Sequence, residues 1–176
     1  MEALLRIFEK LQELDFGKLM AIYGESNAEN AEEFYPDDPQ NLAIMKVEQD
    51  FYRYLKEDFF RHEGVFYAVW EAGGAYVSAL RMEPYKDGLL LEALETEPSC
   101  RKHGHAKQLI RSVCSYLAER GAARIYSHVS KKNVASLQTH LSCGFCRVEE
   151  YATYIDGSVT QRSCTMRLQI EPQIKP

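Results

Sequence analysis

The sequence has no long hydrophobic run and no excess of positive charge, and these two absences exclude several classes of protein. No apolar stretch reaches the roughly 18 residues of a membrane-spanning helix. The N-terminal segment also lacks a basic stretch followed by a long apolar one, so we expect neither a secretory signal nor membrane insertion. The net charge of −5 argues against general binding to nucleic acid or to a membrane surface.

Cysteine is present, but not in the pattern of a disulfide framework. The five cysteines are odd in number and scattered over segments of different predicted structure. With 176 residues, 45% of them hydrophobic, the chain is long enough to bury a core without disulfides or metal. We therefore predict reduced thiols in a cytoplasm and a single domain over residues 1–176, with its core at about 15–170.

Two motifs that could carry metal or redox chemistry lack the required context. Cys143-Gly-Phe-Cys146 has the spacing of a thioredoxin-type pair, but that pair opens a helix, whereas this one lies where a helix is predicted to end. His103 and His105 could share a metal ion, yet no third ligand stands at a suitable spacing nearby. We predict neither a redox pair nor a metal site.

The hydrophobic pattern alternates between helical and strand periods along the chain. A first helix is predicted after Asp15, which can act as its N-cap, whereas Leu4–Phe8 fits either a strand or a helix start. The other predicted helices are 44–60, 106–120 and 133–143; the predicted strands are 65–70, 75–82, 89–96, 124–129, 147–154 and 159–168, with turns at Gly73-Gly74, Asp87-Gly88 and Asp156-Gly157. This order predicts a mixed α/β fold, with a mostly antiparallel twisted sheet of six to seven strands and helices on both faces.

A basic, glycine-containing segment connects the predicted strand 89–96 to the predicted helix 106–120. Its sequence is Arg101-Lys102-His103-Gly104-His105-Ala106. The first turn of a helix presents backbone N–H groups without partners and a partial positive charge, so a phosphate group can bind there. Glycine allows a ligand to approach the backbone closely, and the basic side chains add donors. We interpret this segment as a pyrophosphate site.

A second motif lies some thirty residues further along. It reads Asn133-Val134-Ala135-Ser136, followed by Thr139-His140-Leu141-Ser142-Cys143-Gly144-Phe145. The two motifs, in this order of elements, resemble the GNAT superfamily of N-acetyltransferases from about Asp15 to the end of the last strand. The resemblance implies acetyl-CoA as co-substrate and a V-shaped splay between the strand before Arg101 and the parallel strand that follows.

The resemblance also implies which residues contact acetyl-CoA: Leu94, Thr96, Arg101, Lys102, His103, Gly104, His105, Ala106 and Asn133. Pantetheine is expected to bond to backbone groups near Leu94 and Thr96. Alternatives remain for four of these residues. Lys102, His103 and His105 could form a solvated basic loop, and Asn133 could cap a helix, with or without a contact to the cofactor.

One position departs from the family pattern. The family usually has a tyrosine four residues before the glycine of Gly-Phe, where it protonates the departing thiolate, and this chain has His140. A histidine with a reference pKa of about 6.5 can serve as such a donor to a thiolate whose pKa is about 8.5. His140 is therefore the predicted general acid, with a packed helix histidine as the alternative and Tyr126, Tyr151 and Tyr154 as rival donors.

A carboxylate in the central strand could accept the proton of the amine. Glu92 and Glu95 are expected on opposite faces because their separation is odd. Of the two we favour Glu92, which shares parity with Leu94 and Thr96, and a surface or ion-paired carboxylate at the sheet margin is the alternative. Three functions remain open: acetyl transfer to the amine of a small molecule or peptide, transfer of a longer acyl group or to oxygen, and a CoA-binding sensor or recruitment module without turnover.

The acceptor and the assembly are the least constrained features. The predicted N-terminal helices carry Glu25, Glu29, Glu32, Glu33, Asp37 and Asp38, which would favour a cationic amine if they face the pocket. Exposed helix carboxylates are the alternative. The terminal hairpin presents a sheet edge, which leaves a homodimer open.

Overall fold

The computed structural model describes residues 3–171, which form five α-helices and nine strands. The strands are β1 (Ala3–Phe8), β2 (Phe66–Ala72), β3 (Ala75–Tyr85), β4 (Gly88–Thr96), β5 (Arg124–Ser130), β6 (Cys146–Glu149), β7 (Ala152–Thr153), β8 (Val159–Thr160) and β9 (Ser163–Gln169). The helices are α1 (Phe16–Ile22), α2 (Gly24–Phe34), α3 (Gln40–Glu57), α4 (His105–Ala118) and α5 (Val134–Ser142). Within this range no helix is both long and apolar enough to cross a membrane.

Seven strands form one sheet in the order β1-β2-β3-β4-β5-β9-β6, and β7 pairs with β8 separately. Every neighbouring pair in the large sheet is antiparallel except β4 and β5, which run parallel. Helix α4 packs on one face, and α1 packs on the other. The predicted mixed α/β fold is confirmed, and Ala3–Phe8, for which the sequence allowed two states, is a strand.

Each face of the sheet has its own hydrophobic core. Leu80 and Leu91 contact Leu109 and Ile110 of α4 on one side. On the other side the sheet contributes Tyr67 and Ala79, which pack with residues of α1 and α3. Alternate residues of one strand thus serve opposite cores, as the period of two requires.

Of the two turns predicted in this part of the sheet, one lies where it was predicted and the other is shifted by one residue. Gly73 and Gly74 both have positive φ angles and connect β2 to β3, as predicted. The next hairpin closes on the pair Tyr85 and Gly88, so its loop residues are Lys86 and Asp87. The predicted Asp87-Gly88 turn is therefore displaced by one residue, and Gly88 is the first residue of β4.

Helix α2 is the element that the hydrophobic pattern did not reveal. Of its eleven residues only Asn27 and Ala31 are buried, so an apolar stripe is absent from its sequence. Helix α3 begins at Gln40, directly after Pro39, and not at the first periodic apolar residue near Ile44. It ends at Glu57, before a short 3-10 turn at Phe59–Arg61.

The C-terminal hairpin is more divided than predicted. The predicted pairing of 147–154 with 159–168 is present as two separate ladders, β6 with β9 and β7 with β8. The turn forms around Asp156 and Gly157, where the N–H of Gly157 donates to the carbonyl of Tyr154 at 2.9 Å. Strand β9 inserts between β5 and β6, which leaves β6 at the edge of the sheet.

Gly88 allows β4 to approach β5 at the end where the two strands are paired. A Cβ atom at this position would lie 2.4 Å from the carbonyl oxygen of Arg124. Backbone cannot yield to such a contact without moving a strand. We therefore expect Gly88→Ala to lower the free energy of unfolding by about 1–3 kcal/mol.

Thermal or denaturant unfolding measures this effect, with Gly24→Ala as the matched control. A Cβ at Gly24 would meet no atom within 4 Å, so that substitution should leave stability unchanged or raise it slightly. Equal stability of the two variants would contradict the close approach of β4 and β5.

Candidate functional site

The parallel strands β4 and β5 separate partway along their length. Their ladder comprises Leu89 with Ile125, Leu90 with Tyr126 and Leu91 with Ser127. In the described part of the chain no ladder pair joins residues 92–96 to β5. The strands therefore open into a V towards their carboxyl ends, as the sequence resemblance implied, and backbone groups line the opening.

A β-bulge at Ala93 marks the start of the opening. Opposite β4, Arg81 pairs with Glu92 and Ala79 pairs with Glu95, so β4 has one residue more than β3 between these pairs. Ala93 has a φ of 51°, in the left-handed region. The bulge changes the alternation of side chains beyond Glu92.

Buried tyrosines hold this bulge in place. The hydroxyl of Tyr23 donates to the carbonyl oxygen of Ala93 at 2.7 Å. The hydroxyl of Tyr67 lies 3.1 Å from that of Tyr23. Since the only hydrogen of the Tyr23 hydroxyl is directed at Ala93, Tyr67 is the donor of the second bond. The two bonds fix the backbone of β4 against the face covered by α1.

The expectation that Glu92 and Glu95 lie on opposite faces is wrong. Their partners Arg81 and Ala79 are two residues apart on β3 and share a face, and directly opposed residues lie on the same side of a sheet. Leu94 instead packs against the core beneath α4. The parity argument that linked Glu92 to Leu94 and Thr96 therefore fails, because the bulge inserts a residue.

The segment between β4 and α4 has the geometry of an anion cradle. Within the described residues, the N–H groups of residues 102–107 donate no hydrogen bond to backbone or side chain. Lys102 and Gly104 have φ angles of 65° and 80°, and such left-handed residues turn successive N–H groups into a concave surface. A Cβ at Gly104 would meet no atom within 4 Å, so the space in front of the cradle is open.

The basic side chains of this segment differ in their surroundings. Arg101 donates from Nε to the carbonyl of Thr96 at 3.2 Å, and its Nη1 lies 2.6 Å from a carboxylate oxygen of Glu25. Lys102 and His103 are exposed. The Nδ1 atom of His105 is buried without a hydrogen-bond partner. Helix α4 itself begins at His105, so Ala106 lies in its first turn.

The remaining predicted cofactor residues lie on both sides of the V. Thr96 lies at the end of β4, and its hydroxyl donates to the hydroxyl of Ser78 on β3 at 3.1 Å. Asn133 lies at the start of α5, after β5, and its side-chain oxygen accepts from the N–H of Ser136 at 3.0 Å. Asn133 is therefore a helix cap, and its side-chain NH2 group is not used in that bond. The cofactor contacts of all these residues stay a prediction.

His140 lies inside the protein, with 1% of its surface exposed. Its Nδ1 lies 2.8 Å from the carbonyl oxygen of Ser136, and because a carbonyl only accepts, Nδ1 carries the proton. The ring packs edge-on against Phe145 at 5.0 Å between centroids. Burial lowers the pKa of His140 below its usual value. The neutral imidazole therefore dominates at neutral pH, whereas the predicted role as proton donor requires the imidazolium.

Glu92 is ion-paired inside the site. Its carboxylate lies 3.2 Å from Nε of Arg81, whose guanidinium also stacks over the Tyr54 ring at 5.2 Å. Burial disfavours the charge on Arg81, but nearby Tyr67 and Glu92 raise its pKa above the usual value. Glu92 is therefore held by a permanent cation, and its role as general base stays a prediction.

A cavity of about 630 Å³ opens beside Glu92, between α3 and the β7–β8 turn. Its carboxylates are Asp58, Glu63, Glu83, Glu92 and Asp156, and Tyr54, Phe59 and Tyr154 contribute aromatic surface. Its cationic side chain Arg81 is already paired with Glu92. Burial and a hydrogen bond with Glu92 raise the pKa of Glu83 to about 8. The cavity is thus acidic and partly desolvated.

A second cavity of about 340 Å³ lies on the same face, on the other side of Arg81. It is lined by side chains of α2 and α3 and by Ala93 and Glu95 of β4. Ser26 hydrogen-bonds to Glu95, and burial raises the pKa of this carboxyl group. Of the acidic residues predicted near the acceptor, Glu25 pairs with Arg101, and the others do not line either cavity.

His128, which no sequence motif indicated, follows the last residue of β5 that pairs with β4. Both of its ring nitrogens are buried, and neither has a hydrogen-bond partner among the residues that the structure describes. A single histidine in a strand that also carries arginine and serine is a weak sequence signal, and only the end of the ladder at Ser127 shows that it borders the opening. Among the described residues, no group of three or more metal-ligating side chains forms a metal site.

Comparison with known families and structures identifies one group of proteins. The family model described as the acetyltransferase (GNAT) family matches residues 27–145. This range includes the bulge, the cradle and the segment from Asn133 to Phe145. No curated protein sequence matches the chain significantly.

Solved structures of low sequence identity share the fold. The ribosomal-protein-S18-alanine N-acetyltransferase from Escherichia coli has 18% identity and a TM-score of 0.62, over 95% of this chain and 94% of that one. The spermidine N-acetyltransferase from Vibrio cholerae, in complex with CoA and spermine, has 15% identity and a TM-score of 0.62, over 98% of each chain. The paia N-acetyltransferase from Thermoplasma acidophilum, in complex with coenzyme A, has 11% identity and a TM-score of 0.61, over 96% of this chain and 99% of that one.

The state of His140 leads to a testable expectation. Because burial lowers its pKa and its Nδ1 proton is bonded to Ser136, we expect His140→Phe to change the kcat of acetyl transfer by less than about three-fold. Loss of an essential proton donor would lower kcat by about 100-fold or more. Steady-state kinetics, with the Kd of CoA from calorimetry as control, separate the two results. A large fall in kcat with an unchanged Kd would establish His140 as the donor.

Proposed function

The chain belongs to the acetyltransferase (GNAT) family, and we propose that it transfers an acetyl group from acetyl-CoA to an amine. One observation carries this proposal above the others. The unbonded N–H groups of residues 102–107 lie where the V between β4 and β5 opens, so an anion bound there can extend a chain into the sheet.

Coenzyme A matches this arrangement part by part. Its pyrophosphate requires several donors at one point, and the cradle provides consecutive N–H groups at the positive end of α4. Lys102 and His103 add exposed donors at the rim. Its pantetheine arm carries amides, which can bond to the backbone of residues 92–96 on the side where β5 no longer pairs with it. Leu94 and Thr96 lie in this stretch, and Asn133 caps the helix that follows β5.

The reaction we propose is direct attack of the amine on the thioester carbon. Binding both reactants in one site contributes most of the acceleration, since well-oriented reactions reach effective molarities of about 10⁵ M or more. A backbone N–H of the bulged segment can polarise the acetyl carbonyl as an oxyanion donor. The rigid position of that segment follows from the bond between Tyr23 and the Ala93 carbonyl.

The acceptor we propose is a cationic amine of a small molecule or peptide. In the acidic cavity beside Glu92, Asp58 lies 2.7 Å from the ring of His62, whereas Glu63, Glu83 and Asp156 have no cationic partner among the described residues. Aromatic rings of the cavity also attract cations. Two of the structures with the same fold are named for acceptors that carry amines, the ribosomal protein S18 alanine and spermidine. An alkyl amine has a pKa of about 10.4 and arrives as a cation at neutral pH.

A CoA-binding module without turnover is the second candidate. The observation in its favour is the neutral, fully packed His140 at the position where the family usually has a tyrosine. The same fold and cradle would then bind coenzyme A for sensing or recruitment.

Release of free thiol from acetyl-CoA tests the proposed function. A panel of amines, including diamines, amino acids and short peptides, is incubated with the protein and acetyl-CoA, and CoA binding is measured by calorimetry. We expect binding together with amine-dependent thiol release. Binding without release from any amine would favour the second candidate, and an absence of binding would reject both.

The role of the cradle gives a sharper prediction. Gly104→Asp places a carboxylate in front of the unbonded N–H groups, so we expect the Kd of CoA to rise by about 100-fold. Gly121→Asp is the matched control, because Gly121 also has a positive φ, of 76°, and no atom within 4 Å of a Cβ. Calorimetry of the two variants measures the difference. An equal Kd for both would contradict phosphate binding at residues 102–107.

The pH dependence of acceptor binding follows from Glu83. With a pKa of about 8, Glu83 is mostly neutral at pH 7 and mostly charged at pH 9. A primary amine remains a cation over this range, so its KM should fall by about five-fold between pH 7 and 9. Glu83→Gln, which mimics the protonated form, should remove the change, and the KM of acetyl-CoA serves as internal control. An unaltered pH profile in the variant would exclude Glu83 from acceptor binding.

A further inference from the structure

His128 is a titratable side chain whose ring nitrogens form no hydrogen bond with the described residues of the folded protein. Both ring nitrogens are shielded from solvent, and within residues 3–171 neither has a hydrogen-bond partner. A neutral imidazole carries one donor and one acceptor, and leaving them unpaired inside a protein costs stability. An unpaired buried polar atom calls for an explanation, and a catalytic role is one of them. His140 and His105 each have one such ring nitrogen, but among the described histidines only His128 has both in this state.

The position of His128 in the sheet relates it to the reaction. Leu91 and Ser127 form the last pair of the β4–β5 ladder, so His128 and Glu92 are the first residues beyond it, one on each arm of the V. The ring of His128 packs edge-on against Tyr85 and Tyr154, whereas Val129, the next residue, packs in the core beneath α4. His128 therefore lies on the same side as Glu92 and the acidic cavity.

Aromatic rings fix the orientation of the imidazole. Tyr85 and Tyr154 pack edge-on against it, with centroids at 5.4 and 5.3 Å. The hydroxyl of Tyr85 is itself anchored to the carbonyl of Thr153 at 2.6 Å. Tyr154 is 38% exposed and also lines the acidic cavity, so this ring contacts both His128 and the space beside Glu92. Exposed side chains change rotamer within nanoseconds, so Tyr154 can open a path between the two while the anchored Tyr85 keeps the imidazole in place.

We propose that His128 is the proton acceptor for the amine in the acetyl transfer, a proposal that rests on the proposed function. The amine nitrogen forms a bond to the acetyl carbon, and the carbon–sulfur bond breaks with its electron pair on sulfur. The nitrogen enters as a cation and loses two protons in all. The second leaves to water once the bond to carbon has formed, whereas the first, lost before the attack, passes to a ring nitrogen of His128. The imidazolium then gives this proton to the thiolate, so that amide and free CoA thiol are formed and His128 returns to its neutral state.

The charges around His128 are consistent with this cycle. Burial lowers its pKa below the usual value, while Glu92 on β4 and Glu149 on β6 act in the opposite direction and Lys86, in the β3–β4 turn, acts with burial. His128 is thus neutral and able to accept a proton at pH 7. Transfer from an alkylammonium with a pKa of about 10.4 to the imidazole is uphill, and it is followed by a downhill transfer from the imidazolium to the thiolate, whose reference pKa is about 8.5. The cycle requires no separate acid, which fits the packed state of His140.

Packing alone is the competing explanation for His128, and one substitution separates the two. His128→Phe preserves a ring between Tyr85 and Tyr154 and removes both unpaired nitrogens. If His128 only fills space, this variant keeps the activity of the parent. If His128 accepts the proton, the variant folds at least as stably as the parent but transfers acetyl groups slowly. His128→Gln, which is polar but does not titrate near pH 7, provides a second variant in case the first one does not fold.

The experiment measures kcat/KM for an alkyl amine from pH 6 to 10, together with the Tm and the Kd of CoA for each protein. We expect both variants to lose about 100-fold in kcat/KM at pH 7, with an unchanged Kd. The loss should shrink to less than about ten-fold near pH 10, where roughly a quarter of the amine is already neutral, against fewer than about one molecule in a thousand at pH 7. A purely structural defect would be independent of pH.

Two outcomes overturn the inference in different ways. Variants that turn over like the parent at pH 7, or whose deficit is the same at pH 7 and 10, exclude His128 as proton acceptor and leave the proposed function intact. A parent that binds CoA but releases no thiol with any amine refutes the proposed function, and this inference with it.

Discussion

The bulge at Ala93 is the constraint on which the rest of the site depends. A regular strand would continue its ladder and alternate its side chains, whereas the inserted residue directs Glu92 and Glu95 to the same face. The carbonyl of Ala93 is bound by Tyr23, which accepts in turn from Tyr67, so helix α1 and strand β2 both contribute to holding it. A left-handed alanine is unfavourable in isolation, and this hydrogen-bonded tyrosine pair compensates for it. The shape of the opening is therefore determined by residues from three separate parts of the chain.

The two sides of the opening differ in charge, which separates the two proposed reactants. On the side of α4, backbone N–H groups and the positive end of the helix favour an anion. On the side of α3, carboxylates and aromatic rings favour a cation. Coenzyme A and an alkyl amine carry opposite charges, so each is repelled from the region suited to the other. The net charge of −5 says nothing of this arrangement, because it sums over both regions.

Features encoded by adjacent residues could be predicted from the sequence, and those that depend on distant contacts could not. The cradle requires only a strand, a short basic turn with Gly104 and the start of α4, which are consecutive in the chain. The glycine hairpin at Gly73 is equally local. The bulge left no such signal, since it depends on Tyr23 and on the register with Arg81, and it reversed the inferred orientation of Glu95. Helix α2 escaped for another reason: it buries only Asn27 and Ala31, so its sequence has no apolar stripe. His128 became notable only when the end of the ladder at Ser127 and the rings around it were known.

The insertion of β9 between β5 and β6 has a consequence for how the protein acquires its fold during synthesis. Strand β5 is joined to β4 by three pairs only, but to β9 along its whole length, from Arg124 with Gln169 to Ser130 with Ser163. A ribosome releases β9 after all other strands of the sheet. Until then β5 has one edge without a partner, although the cradle and α4 are already outside the exit tunnel. The nascent chain therefore exposes an unpaired strand edge, which can pair with another chain, for the time needed to translate some forty residues.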